Sequence, residues 1–165
     1  MKNLLLLRHA KSSWKKPNLS DFDRPLNERG QKAAQIVGRF LRKQEFEVDL
    51  VISSPAVRAR QTIERVLSSA KWTPEVRFDQ RIYEASPTTL LEVVSQIDED
   101  RKSVLLVGHN PGMEELLTLL VGKEEPMPTA ALAKISISIK RWDKIEGSKA
   151  ALDSLWRVKE LKPHS

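Results

Sequence analysis

The chain contains no cysteine, so disulfides, thiolate metal sites and a cysteine nucleophile are all excluded. Aromatic residues are scarce, 5% of the total with a single tyrosine, and they form no stacking motif of the kind that reads nucleic acid. Only three histidines occur, His9, His109 and His164, and the acidic residues near them complete no metal-ligand spacing. No G-x-S-x-G is present, which removes the usual signature of a serine nucleophile on an α/β sheet. Apolar runs are too short to cross a bilayer, and the start, Met1-Lys2-Asn3-Leu4, meets Arg8-His9 before a signal-peptide core could form. Repeats, low-complexity segments and linkers are missing too. These absences describe a cytoplasmic protein with no metal, no cofactor, no membrane and no nucleic-acid partner; they say nothing of oligomeric state.

What is present fits one domain over residues 1–165, long enough to bury a core without staples. Lysine and arginine number 28 against 22 acidic residues, a net charge of +6 spread along the chain and not gathered in a tail. Nucleic acid is one explanation of that balance, and an acidic substrate drawn to a positive pocket explains it equally well. The most informative stretch is Leu4-Leu5-Leu6-Leu7-Arg8-His9. Four consecutive leucines read as a short strand buried on both faces, and the chain turns basic where the strand ends.

The pattern then alternates. Residues 10–26 form a polar loop, long enough to suggest a functional one. Asn27 is a good N-cap for a helix over 28–43, whose apolar face carries Ala33, Ala34, Ile36, Val37, Phe40 and Leu41. A second strand is expected over 48–53, followed by a helix capped by Ser54 with Pro55 in its first position. A short strand over 73–78 and a helix opened by Ser86-Pro87 come next. Residues 103–108 form another buried strand, ending in His109-Asn110-Pro111-Gly112, where Asn110 caps a helix reaching Val121. Residues 131–139 alternate as a half-exposed strand, 140–152 read as a polar loop, and 155–161 read as a last strand antiparallel to its neighbour. The order predicts an α/β domain: a three-layer αβα sandwich with a mainly parallel sheet and one antiparallel strand near the C-terminus.

Ligands of such sheets bind beyond the carboxyl ends of the strands. If strands 4–7 and 103–108 are parallel neighbours, His9 and His109 leave the sheet at the same edge. The helix after strand 48–53 then brings Arg58 there as well. Arg8, His9, Arg58 and His109 would surround one point, a pocket for a dianion built from two guanidiniums and two imidazoles. Each residue also has a plain structural reading: an arginine-histidine pair at a solvated strand end, a histidine satisfied in a turn, an arginine on an exposed helix face.

Leu7-Arg8-His9-Ala10-Lys11-Ser12-Ser13-Trp14 and Asp23-Arg24-Pro25-Leu26-Asn27-Glu28-Arg29-Gly30 resemble the first blocks of the histidine phosphatase superfamily, in its SixA-like phosphohistidine phosphatase branch. Ser53-Ser54-Pro55-Ala56-Val57-Arg58-Ala59-Arg60-Gln61-Thr62 is similar to its second block, and Val107-Gly108-His109-Asn110-Pro111 to its third. The resemblance implies that His9 is a nucleophile forming a phosphohistidine intermediate. It also implies that Arg8, Arg58 and His109 bind the phosphoryl group without a metal. Glu84, in Ile82-Tyr83-Glu84-Ala85, stands where the wider superfamily often carries a proton donor, although it equally reads as a polar residue before the Ser86 cap.

Departures from the mutase-like branch matter. Ala10, Lys11 and Lys15 replace the Gly, Glu and Asn found there, which argues against a phosphoglycerate mutase. The chain has no room for the long insertions that cover small-substrate pockets in the superfamily. The expected substrate is therefore a phosphohistidine on a protein. The alternatives are a small phosphorylated molecule turned over by the same residues, or a non-catalytic phosphate-binding module. An attacking imidazole must be neutral, and the neighbouring arginines are expected to lower the pKa of His9 below about 6.5.

Overall fold

In the structure, a computed structural model that describes residues 1–161, the four leucines lie inside β1 (Lys2–Arg8), and all four are buried. Their alternation divides the core. Leu4 and Leu6 belong to one apolar cluster, while Leu5 and Leu7 belong to a second on the opposite face of the sheet. The first cluster is covered by α3 (Pro87–Ser95) and α4 (Gly112–Val121). The second is covered by α1 (Glu28–Arg42), α2 (Val57–Ala70) and α5 (Val158–Leu161). This is the expected three-layer sandwich.

β1 lies beside β4 (Ser103–Gly108), followed outward by β2 (Leu50–Ser53) and β3 (Glu75–Phe78), and these four strands are parallel. On its other side β1 pairs with β5 (Leu132–Ile137), which runs antiparallel to it, and β5 pairs antiparallel with β6 (Ala150–Trp156). The register places Arg8 opposite Gly108 and Ser53 opposite Val107. The ladder continues past the strands, with His9 N–H donating to Gly108 O at 3.0 Å and Ser54 N–H to Val107 O at 3.0 Å. Three chain segments thus leave the sheet side by side.

Helices start at Asn27, whose Oδ1 accepts from Gly30 N–H at 2.8 Å, and at Ser86, whose Oγ accepts from Thr89 N–H at 3.2 Å, as their sequence predicts. Two other starts differ from expectation. Ser54 does not cap α2: its Oγ accepts from Ala56 N–H at 3.2 Å, and the helix begins only at Val57 with no side-chain cap. Asn110 does not cap α4 either. Pro111 occupies the cap position, and the Asn110 amide donates instead to Met127 O at 3.0 Å. In both places a tertiary partner also engages the side chain, His109 Nε2 at 2.7 Å from Ser54 Oγ and Met127 O at Asn110.

The C-terminal strand also lies earlier than its apolar pattern suggests. β6 covers Ala150–Trp156, and most of the expected strand at 155–161 is the short helix α5, packed on α1. Inside the expected polar loop, Trp142 is fully buried and its Nε1 donates to Arg101 O at 2.7 Å. His164 lies outside the described residues.

Candidate active site

His9 follows β1 directly and is buried among charged neighbours. Its Nδ1 lies 2.7 Å from Ala10 O. A carbonyl can only accept, so Nδ1 carries the proton and the lone pair of the neutral ring sits on Nε2. The backbone around it is tied down. Ala130 N–H reaches both Arg8 O and His9 O, at 3.0 and 3.1 Å, from a left-handed conformation with φ of 62°. Ala10 N–H donates to Thr62 Oγ1 at 2.9 Å, and Thr62 in turn donates to Arg58 O at 2.7 Å. Strain of this kind at a non-glycine residue persists where its surroundings hold it, commonly at a functional site.

His109, the first residue after β4, brings its ring to 5.0 Å from that of His9. Its Nε2 lies 2.7 Å from Ser54 Oγ, while its Nδ1 is buried with no partner. Arg8 donates through Nη1 to Met127 O at 3.0 Å. Arg58, on the first turn of α2, is held from the loop after β1: its Nη1 donates to Asp21 O at 2.6 Å and its Nη2 to Asp21 Oδ2 at 2.9 Å. The four residues expected to meet do meet.

The loop over 10–26 is ordered by its own pairing. Ser12 bridges Leu26, Asn27 N–H donates to Lys11 O at 3.0 Å, and Leu26 N–H donates to the Gln61 side chain at 2.8 Å. Gly30 is required here, since a Cβ at that position would stand 2.1 Å from Lys11 O. One short turn of this loop, Asp21–Asp23, delivers the Asp21 carboxylate to Arg58, to Arg24 Nε at 3.3 Å and to the Tyr83 hydroxyl at 2.5 Å.

Three residues of this site went unread in the sequence. Arg24 is buried, with its guanidinium 3.4 Å from the centre of the Trp14 ring, and it contributes to the field on His9. Asp21 and Tyr83 form the bracket just described, and the Tyr83 ring meets His109 edge-on at 5.6 Å. Arg24 was visible inside the Asp23-Arg24-Pro25-Leu26 block, but nothing local marks Asp21 or Tyr83.

Burial sets the electrostatics. The pKa of His9 is pushed down to about 4, first by burial and then by Arg58, Arg8 and Arg24, against the Ala10 carbonyl, which raises it. The direction expected from the sequence is right, but desolvation outweighs the arginines. His109 is pushed down to about 3, again chiefly by burial, then by His9 and Arg58. Burial also lowers Arg8, against the attraction of Glu114. The Tyr83 hydrogen bond, ahead of the Arg58 one, holds the Asp21 carboxyl below its ordinary value despite some burial. Both imidazoles are therefore neutral at pH 7.

Glu84 is placed differently from the other four. It is exposed, in a left-handed conformation with φ of 54°, between Tyr83 and the Ala85 carbonyl that packs against Gly112. No hydrogen bond or ion pair joins it to the His9 group among the described residues. Also among these residues, no three His, Asp or Glu side chains are grouped as a metal site would need, and no helix is long and apolar enough to cross a membrane.

The family model of the histidine phosphatase superfamily, branch 1, matches residues 4–89. An uncharacterised protein of Mycobacterium tuberculosis is 32% identical over 157 residues, covering 88% of this chain and 96% of that one. A protein of Agrobacterium tumefaciens named for the SixA phosphohistidine phosphatases shares 29% identity and superposes with a TM-score of 0.81 over 94% of this chain and 97% of its own. A mycobacterial glucosyl-3-phosphoglycerate phosphatase, at 18% identity, shares the fold with a TM-score of 0.66 over 93% of this chain and 98% of its own. With the sheet, the paired histidines and these likenesses together, the chain belongs to the histidine phosphatase superfamily and sits in its SixA-like branch.

Proposed function

We propose that the protein removes the phosphoryl group from phosphohistidine on another protein, in the cytoplasm and without a metal, through a phosphohistidine formed on His9. One observation carries this reading. Among the described residues, five buried side-chain polar atoms lack a hydrogen-bond partner, and four belong to the residues around His9: Arg8 Nε, Arg24 Nη1, Arg58 Nε and His109 Nδ1. Leaving a buried donor unpaired costs about 1–3 kcal/mol, so a fold that gathers several of them has a ligand to satisfy them. Three guanidiniums beside two neutral imidazoles suit a phosphoryl dianion.

The steps follow from the placement. His9 Nε2 attacks phosphorus, the N–P bond forms, and the bond to the leaving group breaks. Arg8, Arg24 and Arg58 stabilise the charge on the equatorial oxygens, which is where phosphoryl transfer most needs help. A phosphoryl oxygen at His109 Nδ1 favours the tautomer protonated there, with Ser54 Oγ donating to Nε2. Water then attacks the phosphoenzyme, releasing phosphate and restoring His9.

A leaving imidazole departs as a neutral base once its other nitrogen is protonated, whereas an alkoxide needs a proton as the P–O bond breaks. We assign Glu84 as donor for the second case only; its exposed, strained position beside Tyr83 supports a residue that substrate must approach. Glu84→Gln is expected to lower kcat/KM for glycerol phosphate by roughly 10²-fold, the ordinary contribution of a general acid. The same change should leave phosphohistidine hydrolysis within about threefold of wild type. An equal loss on both substrates would remove the distinction.

The function itself is tested by phosphate release, in EDTA, from a histidine-phosphorylated peptide, glycerol phosphate, sugar phosphates and nucleotides. The expected result is preference for the phosphopeptide, undiminished by the chelator. Strong turnover of one small phosphoester with none of the peptide would establish the small-molecule alternative, which the shared fold of the glucosyl-3-phosphoglycerate phosphatase keeps in view.

A further inference from the structure

Trp14 is 76% exposed, although indole is among the costlier side chains to leave in water. It is not loose. The Arg24 guanidinium covers one face of the ring at 3.4 Å, and Arg24 belongs to the His9 site. The backbone beneath it is fixed too, with Ser12 bridged to Leu26 and Ser13 N–H donating to Pro25 O at 2.8 Å. An aromatic side chain already held in place loses little further freedom when a partner binds it.

The exposed charges that flank it in the chain are basic. Lys11, Lys15 and Lys16 are exposed, and none of them forms an ion pair among the described residues. Lys15, Lys16 and Leu19 help line a cleft of about 310 Å³ in the loop segment that follows Trp14. Of the nearby carboxylates, Asp21 is paired with Arg58 and Arg24 and bonded by Tyr83, while Asp23, in no ion pair among the described residues, accepts from the Ser20 hydroxyl at 2.9 Å. Three exposed, unpaired lysines on the loop that also carries Arg24 repel a basic partner and attract an acidic one.

We propose that this loop is where the substrate protein docks: Trp14 anchors an apolar side chain, and Lys15 and Lys16, with Lys11, engage acidic residues flanking the phosphohistidine. The proposal rests on the phosphohistidine reading and adds the chemistry of the protein around it. Its occupant is an acidic, partly apolar protein surface.

The test uses two synthetic peptides of equal length, each phosphorylated on a single histidine, one flanked by glutamate and leucine and the other by lysine and leucine. Phosphoramidate serves as a substrate without flanks. The full-length protein is expected to hydrolyse the acidic peptide with kcat/KM roughly tenfold above the basic one. In Lys15→Glu/Lys16→Glu the preference should fall to within about twofold, through KM, with phosphoramidate turnover unchanged. A wild type indifferent to the flanks, or a double variant that keeps the preference, overturns the docking surface alone. So does a parallel loss on phosphoramidate, which would place the two lysines in the phosphoryl site. Glycerol phosphate hydrolysis with neither peptide cleaved overturns the phosphohistidine reading itself, and the docking proposal falls with it.

Discussion

His9→Ala is expected to fold, to show no turnover and to take up no phosphoryl label. The substitution lies just past β1, and it removes one ring hydrogen bond, to Ala10 O, while the ladder bond from residue 9 N–H to Gly108 O remains. Chemistry is lost completely because His109, the other imidazole at the site, has Nε2 engaged with Ser54 and its ring 5.0 Å away. The label must be sought after a neutral or alkaline quench, since the N–P bond is acid-labile. Label retained in the variant would mean that another residue is the nucleophile.

The same variant reads the electrostatics. With His9 held down to about 4, protonation of its ring should not limit wild-type kcat/KM between pH 7 and about 5, and should do so only toward pH 4, once the titration of the substrate has been divided out. Stability moves in the same direction. Between the ordinary histidine value near 6.5 and the folded value near 4, the unfolded chain binds more protons than the folded one. Stability therefore drops as pH falls through that window. Removing His9 removes its share, so the thermal midpoint of His9→Ala should decline less between pH 7 and pH 4.5 than that of wild type. An identical decline would show that the ring is not buried as described.

Arg58→Ala is expected to lower kcat/KM by roughly 10²-fold or more, the scale of deleting one preorganised donor to a developing charge. Arg58 presents an unpaired Nε while its terminal nitrogens hold Asp21, so in the proposed mechanism one residue both serves the phosphoryl group and anchors the loop. Arg58→Lys should recover little, because a single ammonium cannot span both tasks. Asp21→Asn keeps the main-chain contact and loses the ion pair, and its expected cost is smaller, about threefold to tenfold. Near-UV circular dichroism separates lost chemistry from lost fold. A loss below about threefold in a folded Arg58→Ala would place Arg58 outside the pocket.

Much of this architecture is written locally. Leucines 4–7 and residues 104–107 are apolar on both faces because both faces are covered, so a run without alternation already signals a central parallel strand. Asn27 and Ser86 cap their helices because the orphan amides they satisfy lie three residues away. Arg8, His9, Arg58 and His109 are legible as neighbours in the sequence because each sits within a few residues of a strand's carboxyl end. Direction in an α/β sheet then does the rest.

The remaining features depend on partners distant in the chain. Asp21 meets Arg58 across 37 positions, and Ser54 meets His109 across 55. A polar residue in a loop carries no periodicity, so nothing local tells which of many acids or hydroxyls will be chosen. Ser54 and Asn110 fail as caps for the same reason: a buried imidazole and the Met127 carbonyl need partners more than a helix end that water can satisfy. The C-terminal strand was displaced because 155–161 is short and weakly patterned, and packing against α1 decides whether such a segment extends or coils. Local sequence determined five of the six strands, two caps and which four residues gather at the strand ends of this protein. Only the tertiary structure decided what holds those residues in place, because desolvation and long-range pairing act between groups that the linear chain keeps apart.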